Sequence, residues 1–232
     1  RPNLPEVTGL LPTLPTGTQA NTPNTGSLTD ATSLLSGGSG VGKVGGQTTQ
    51  VFGVQGTGSK FVYVFDRSAS MEGYGGRPML EAKRELIASL NSLQKTSRFQ
   101  IVFYNERPTV FNPNPTTPPE LLFGTESNRE QAQSFVQSIR GRGGTRHLDA
   151  LRAALKMGPD VVFFLTDADE PQLTSAQLAE IDRWNRSAAT IHTIEFGVGA
   201  EDAGPNFLRE IAKRNLGPVS YTHLRAHETP CH

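Results

Sequence analysis

Apolar residues run almost without interruption through Phe61-Val62-Tyr63-Val64-Phe65 and again through Val161-Val162-Phe163-Phe164-Leu165. Short runs of this kind, rich in aromatic and β-branched side chains, predict strands buried on both faces. Between them the period changes. Leu80, Leu86, Ile87, Leu90 and Leu93 recur at helical spacing, so the chain from Pro78 to about Leu93 is predicted to be an amphipathic helix with proline at its favourable first position. Phe99 to Tyr104 reads as the next strand, and Thr109 to Phe111 as its hairpin companion across the turn at Asn105 to Pro108. Ala132, Phe135, Val136 and Ile139 mark a second helix stopped by Gly141, and Leu148, Leu151 and Leu155 mark a third stopped by Gly158-Pro159. Thr174 with Gln177 has the spacing of a capping box and opens a further helix carrying Leu178 and Ile181. Ile191 to Phe196 is a strand, and Leu208, Ile211 and Ala212 belong to a last helix ended by Gly217.

Alternating strands and helices, with near-continuously apolar strands among them, predict a doubly wound α/β domain: a mostly parallel sheet with helices on both faces. Ligands of such sheets bind beyond the carboxyl ends of the strands, where strand order reverses. Asp66 follows the first apolar run directly, and Asp167 closes the second. The fold therefore brings both carboxylates to one rim.

The average composition, 35% hydrophobic in 232 residues, conceals a division along the chain. Residues 1–50 are rich in Pro, Gly, Thr, Ser and Asn, with no aromatic residue and no apolar period, and are expected to be a disordered linker. The folded domain is assigned to residues 51–217. Gly37-Gly38-Ser39-Gly40-Val41-Gly42-Lys43 approaches a phosphate-binding loop, but Val44 stands where a hydroxyl is needed and no strand precedes the glycines, so it reads as linker. Residues 218–232 are expected to be a non-native tail. Tyr221-Thr222-His223-Leu224-Arg225-Ala226-His227-Glu228-Thr229 resembles translated sequencing-adapter read-through, and this segment and the residues after it hold Cys231, His223, His227 and His232. No metal site is built from them, and the single cysteine excludes an internal disulfide.

Charge excludes further classes. The 22 acidic and 22 basic side chains cancel, and no segment concentrates Lys and Arg, so nucleic acid is not an expected partner. No run reaches the roughly 20 apolar residues of a membrane span. The chain opens at Arg1 rather than Met, so membrane attachment is expected only through an upstream anchor; the long Pro/Gly/Thr-rich arm suits an anchored, extracytoplasmic position.

The candidate chemistry lies in three short segments. Asp66-Arg67-Ser68-Ala69-Ser70 presents a carboxylate and two hydroxyls after a buried strand; Gly143-Gly144-Thr145 adds a hydroxyl on a turn; Thr166-Asp167 adds the second carboxylate. Hard oxygens in this pattern suit Mg²⁺, Mn²⁺ or Ca²⁺. The structural alternatives are helix caps and turn residues. Asp169 and Glu170 read as a solvated acidic loop, His147 as a helix-start residue, His192 as a structural strand residue, and Met71, Tyr74 and Arg77 as candidates for the rim of a binding face.

In order and spacing, Asp66-x-Ser68-x-Ser70, Gly144-Thr145 and Thr166-Asp167 resemble the metal-ion-dependent adhesion site of von Willebrand factor type A domains, over about Val51 to Gly217. The resemblance implies a Rossmann-like fold in which Ser68 and Ser70 bind a divalent ion, Mg²⁺ or Mn²⁺ with Ca²⁺ as a third candidate, through their hydroxyls. It implies that Thr145 binds directly in one state and through water in another. Asp66 and Asp167 would act through waters and hydrogen bonds to the serines. One coordination position remains for a Glu or Asp of a partner protein. The family normally ends in a further strand after the last helix; with a non-native tail in that place, the final edge strand is expected to be missing.

The leading expectation is a non-catalytic, metal-dependent protein-binding module, since no nucleophile is paired with a base. Two alternatives stay open: a metal-dependent phosphoester hydrolase in which Asp66 or Asp167 activates water, and a scaffold domain with an idle metal site.

Overall fold

The computed structural model describes residues 46–167, 171–197 and 206–223. A hairpin comes first, β1 (Gln47–Val51) and β2 (Val54–Gly58), and forms a separate two-stranded sheet. The main sheet is built from β3 (Lys60–Asp66), β4 (Arg98–Tyr104), β5 (Pro108–Val110), β6 (Leu122–Phe123), β7 (Val161–Thr166), β8 (Thr190–Gly197) and β9 (Val219–His223). Its order is β5-β4-β3-β7-β8-β9, with β6 also paired to β4. β4, β3, β7, β8 and β9 run parallel, while β5 and β6 pair antiparallel with β4.

Side-chain alternation along β3 explains the two-faced core. Phe61, Tyr63 and Phe65 pack on one face with Met79, Ala82, Leu86 and Leu90 of α1 (Gly73–Ser92) and Ala132 and Val136 of α2 (Glu126–Ser138). Val62 and Val64 turn to the other face. There they meet Ala150 and Leu151 of α3 (His147–Leu155), Leu178 and Ile181 of α4 (Ser175–Trp184), and Leu208 and Ile211 of α5 (Phe207–Arg214). β7, covered on both sides, is buried at every position.

The local signals are realised in detail. Thr174 and Gln177 form a reciprocal capping box at the start of α4. The start of α1 is irregular: Tyr74, Gly75 and Gly76 adopt left-handed backbone angles, so regular helix begins only beyond them, with Pro78 in its first turn. The hairpin after β4 forms at Pro108–Val110, a residue earlier than Thr109 to Phe111. β6 carried no sequence signal, being only two residues long.

The edge position beside β8, expected to be empty, is held by β9. Val219, Tyr221 and Thr222 are β-branched or aromatic, and Gly217-Pro218 ends the preceding turn, so the segment has strand-forming character whatever its origin. Among the described residues no helix is long and apolar enough to cross a membrane.

Candidate functional site

Strand order reverses between β3 and β7. From β3 the chain steps outward to β4, then returns to the other side of β3 as β7. The two strands run in register, Phe65 opposite Leu165, so their carboxyl ends emerge together. Asp66 ends β3, and Thr166 ends β7 with Asp167 next in the chain.

A continuous hydrogen-bonded chain joins these ends. Asp66 is fully buried; its Oδ1 accepts from the Ser68 backbone N–H at 2.7 Å and its Oδ2 from the Thr166 hydroxyl at 2.7 Å. The Ser68 and Ser70 hydroxyls are 2.9 Å apart, and Ser70 donates to Asp167 Oδ1 at 2.9 Å. Ser68 stands at the N-cap of the short 3₁₀ turn Ala69–Glu72 but makes no capping bond with its side chain. Its hydroxyl is turned to Ser70 instead, so capping does not account for it.

Thr145 lies on a loop held against the same rim by a different route. The loop carrying it is tied to the segment after β3 by the backbone bonds Ala69 N–H to Gly143 O, at 2.9 Å, and Arg142 N–H to Arg67 O, at 2.8 Å. The carboxyl end of β4 grips it from the other side. Asn105 Nδ2 donates to Arg142 O at 2.8 Å, Asn105 O accepts from Arg146 N–H at 2.9 Å, and Glu106 Oε1 accepts from Gly144 N–H at 2.8 Å. Gly143 has φ +76, and a Cβ there would lie 2.9 Å from the Glu106 carboxylate oxygens, so the close approach requires glycine. The Thr145 side chain is half-buried and makes no hydrogen bond among the described residues. Asp66, Ser68, Ser70 and Asp167 thus form one bonded set, and Thr145 stands on an adjoining loop outside it.

Burial pushes the Asp66 carboxyl up from 3.8 to about 6, with a further push from the Asp167 charge, against the opposing hydrogen bonds from Ser68 and Thr166. Burial also raises Asp167, with the Ser70 hydrogen bond opposing it. Two carboxylates are therefore held together where charge is costly. A cation between them and the hydroxyls would relieve that cost, and the donors, all oxygen, are of the kind that suits a hard divalent ion. Among the described residues no three His, Cys, Asp or Glu side chains gather as a metal site.

The other singled-out residues separate clearly. His147 begins α3 and is buried, hydrogen-bonded through Nδ1 to the Tyr104 hydroxyl at 2.9 Å and packed on Phe207. His192 is buried in β8 against Phe163. Met71 is wholly buried in the core and lines no rim, whereas Tyr74 is 66% exposed and Arg77 half-buried. Asp169 and Glu170 lie outside the described residues, as does the glycine-rich stretch through Val44. Sequence reading missed Asn105 and Glu106. Both fall in the predicted hairpin turn, and only their position at the carboxyl end of β4, on the same rim, points to them.

The model of the von Willebrand factor type A domain family matches residues 61–225, more than half of the chain. No curated protein sequence matches it significantly. Among solved structures, a von Willebrand factor type A protein from Catenulispora acidiphila is 25% identical with a TM-score of 0.59, over 76% of this chain and 45% of that protein. The chain thus spans less than half the length of that relative. The conserved hypothetical protein BatB from Bacteroides thetaiotaomicron is 16% identical with a TM-score of 0.50, over 72% of this chain and 91% of that one. The pilus adhesin SpaC from Lactobacillus rhamnosus GG is 17% identical with a TM-score of 0.50, over 67% of this chain and 26% of that one. The latter two likenesses concern the fold alone. With the family match covering the sheet from β3 to β9 and the helices between, the chain belongs to the von Willebrand factor type A domain family.

Proposed function

We propose that this domain is a non-catalytic binding module that holds a divalent cation, Mg²⁺ or Mn²⁺, at the rim of β3 and β7 and uses it to capture a Glu or Asp side chain of a partner protein. Von Willebrand factor type A domains are commonly protein-interaction modules and generally non-enzymatic, which supports the coarse part of this reading. The observation that carries the finer part is the hydrogen-bonded chain Asp66, Ser68, Ser70, Asp167, which gathers hydroxyls and carboxylates from two strands far apart in sequence. Ser68, Ser70 and Thr145 would offer hydroxyl oxygens to the ion, with Asp66 and Asp167 supplying negative charge behind them. When bound, the ion supplies a Lewis-acidic position for an incoming carboxylate. In this reading the carboxylates stand behind the hydroxyls and not in direct contact with the ion, so its positive charge would be incompletely neutralised at the open position and would favour an acidic ligand.

Calorimetric titration of the domain with Mg²⁺ and Mn²⁺ tests the site: uptake by the wild type, weakened in Ser68→Ala and Ser70→Ala with the fold retained, is the expected result. Affinity capture with and without EDTA tests the function, a partner being recovered only with metal present. Absence of cation uptake, or identical recoveries, would overturn the proposal. Turnover of p-nitrophenyl phosphate that is lost in Asp66→Ala would favour the hydrolase alternative instead.

A further inference from the structure

Beside the rim lies a second feature that the carboxylate-hydroxyl chain does not use. A cleft of about 740 Å³ opens between the β4–β5 turn and the loop that carries Thr145, and its lining includes Arg67, Asn105, Glu106, Arg107, Arg142 and Arg146. Four of these are arginines and one is acidic. The Glu106 carboxylate is engaged by Gly144 N–H at 2.8 Å, and Arg146 lies 3.9 Å from Asp149. Arg67 is half-buried and braced, its Nη2 donating to Thr109 Oγ1 at 3.2 Å and to Asn105 Oδ1 at 3.5 Å. Arg107 and Arg142 are exposed, and their guanidinium groups have no ion pair or hydrogen bond among the described residues. The protein as a whole carries no net charge, so four arginines facing Glu106 and the neighbouring Asp149 make a local excess of positive charge.

The cleft and the candidate site draw on the same two chain segments. Arg67 stands between Asp66 and Ser68 in the chain, and the loop that offers Thr145 to the rim offers Arg142 and Gly143 to the cleft. Guanidinium groups recognise carboxylates through paired N–H donors, and free arginines at the edge of a cation-binding rim act on the same class of ligand as the cation. We infer that the cleft is the second half of the partner-binding surface. An acidic peptide segment places one carboxylate on the rim cation and a further carboxylate, along the same segment, between Arg107 and Arg142. This rests on the metal-dependent reading above and adds to it the chemistry of the partner: a run with at least two acidic side chains rather than a lone Glu or Asp.

The test uses the intact chain and fluorescein-labelled octaglutamate as probe, followed by anisotropy in Mg²⁺ at about 50 mM salt, where exposed charges are incompletely screened. Arg107→Gln with Arg142→Gln is expected to weaken the probe about tenfold, while Mg²⁺ uptake by calorimetry stays at the wild-type value because both residues hold the loop, where they touch it, through backbone alone. The charge-matched control Arg84→Gln with Arg183→Gln, on helices that do not line the cleft, is expected to bind the probe as the wild type does. Equal weakening by the control, an Arg107/Arg142 variant that binds as the wild type does, or no probe binding by a Mg²⁺-loaded wild type overturns the cleft assignment and leaves the metal reading standing. A wild type that takes up no Mg²⁺ overturns both.

Discussion

Replacing Asp66 with asparagine separates what the rim does for stability from what it does for binding. The carboxyl is fully buried, and burial raises it from 3.8 to about 6. The folded, metal-free protein therefore holds more protons than the unfolded chain between those values, so the Asp66 contribution to stability falls as pH rises through that window. Above pH 6 the full cost of burying the charge is present. A difference of about two pH units at ~1.4 kcal/mol each amounts to about 3 kcal/mol. Asparagine is neutral and keeps one acceptor oxygen for the Ser68 N–H, but it loses the second acceptor facing Thr166, at a cost of about 1–2 kcal/mol. In EDTA at pH 7.5 the Asp66→Asn protein is therefore expected to be more stable than the wild type by about 1–2 kcal/mol. In Mg²⁺ the order should narrow or invert: a cation at a hundred times its dissociation constant adds about 2.7 kcal/mol to a form that binds it, and the variant lacks the charge that attracts it. Urea unfolding of both proteins, in EDTA and in Mg²⁺, measures all four states. A variant clearly less stable than the wild type in EDTA, or one that keeps the full Mg²⁺ stabilisation, would refute the reasoning.

Acid should act on the domain through its buried histidines. Burial lowers His147 and His192 from 6.5 to about 4, so the unfolded chain binds protons first as pH falls, and the stability present above pH 6.5 is lost between 6.5 and 4. At pH 5 each contributes a loss of about 2 kcal/mol, against a gain of about 1 kcal/mol from Asp66 in the metal-free protein; urea midpoints at pH 7 and 5, with His192→Gln flattening the decline, check the sign. Gly143→Ala sets a Cβ 2.9 Å from the Glu106 carboxylate at φ +76 and should destabilise by about 1–3 kcal/mol. It should also weaken Mg²⁺ uptake by displacing Thr145, an effect that calorimetry would find absent if Thr145 plays no part.

How much of this was legible in the chain follows from the range of each interaction. The parallel sheet was legible because strands buried on both faces must be apolar throughout, as β3 and β7 are. The capping box at Thr174 was legible because its partners are three residues apart. Asp66, Ser68 and Ser70 were legible as a group because the carboxyl end of a buried strand is where a doubly wound sheet presents its polar side chains. Met71 misled, since its place directly after Ser70 says nothing of which way the 3₁₀ turn faces. β9 misled for the opposite reason: the unusual character of the segment hid an ordinary capacity to pair with β8.

Sequence alone therefore determined which residues could form the elements and which side chains stood at their ends, because those facts depend on neighbours along the chain. The tertiary structure decided what those ends meet. Ser70 reaches Asp167, Thr166 reaches Asp66 and Glu106 reaches Gly144, contacts between positions separated by 97, 100 and 38 residues that no local pattern encodes. It also decided that arginines scattered between positions 67 and 146 line one cleft beside the rim. Their convergence follows from the strand order, which sets the carboxyl ends of β3, β4 and β7 side by side.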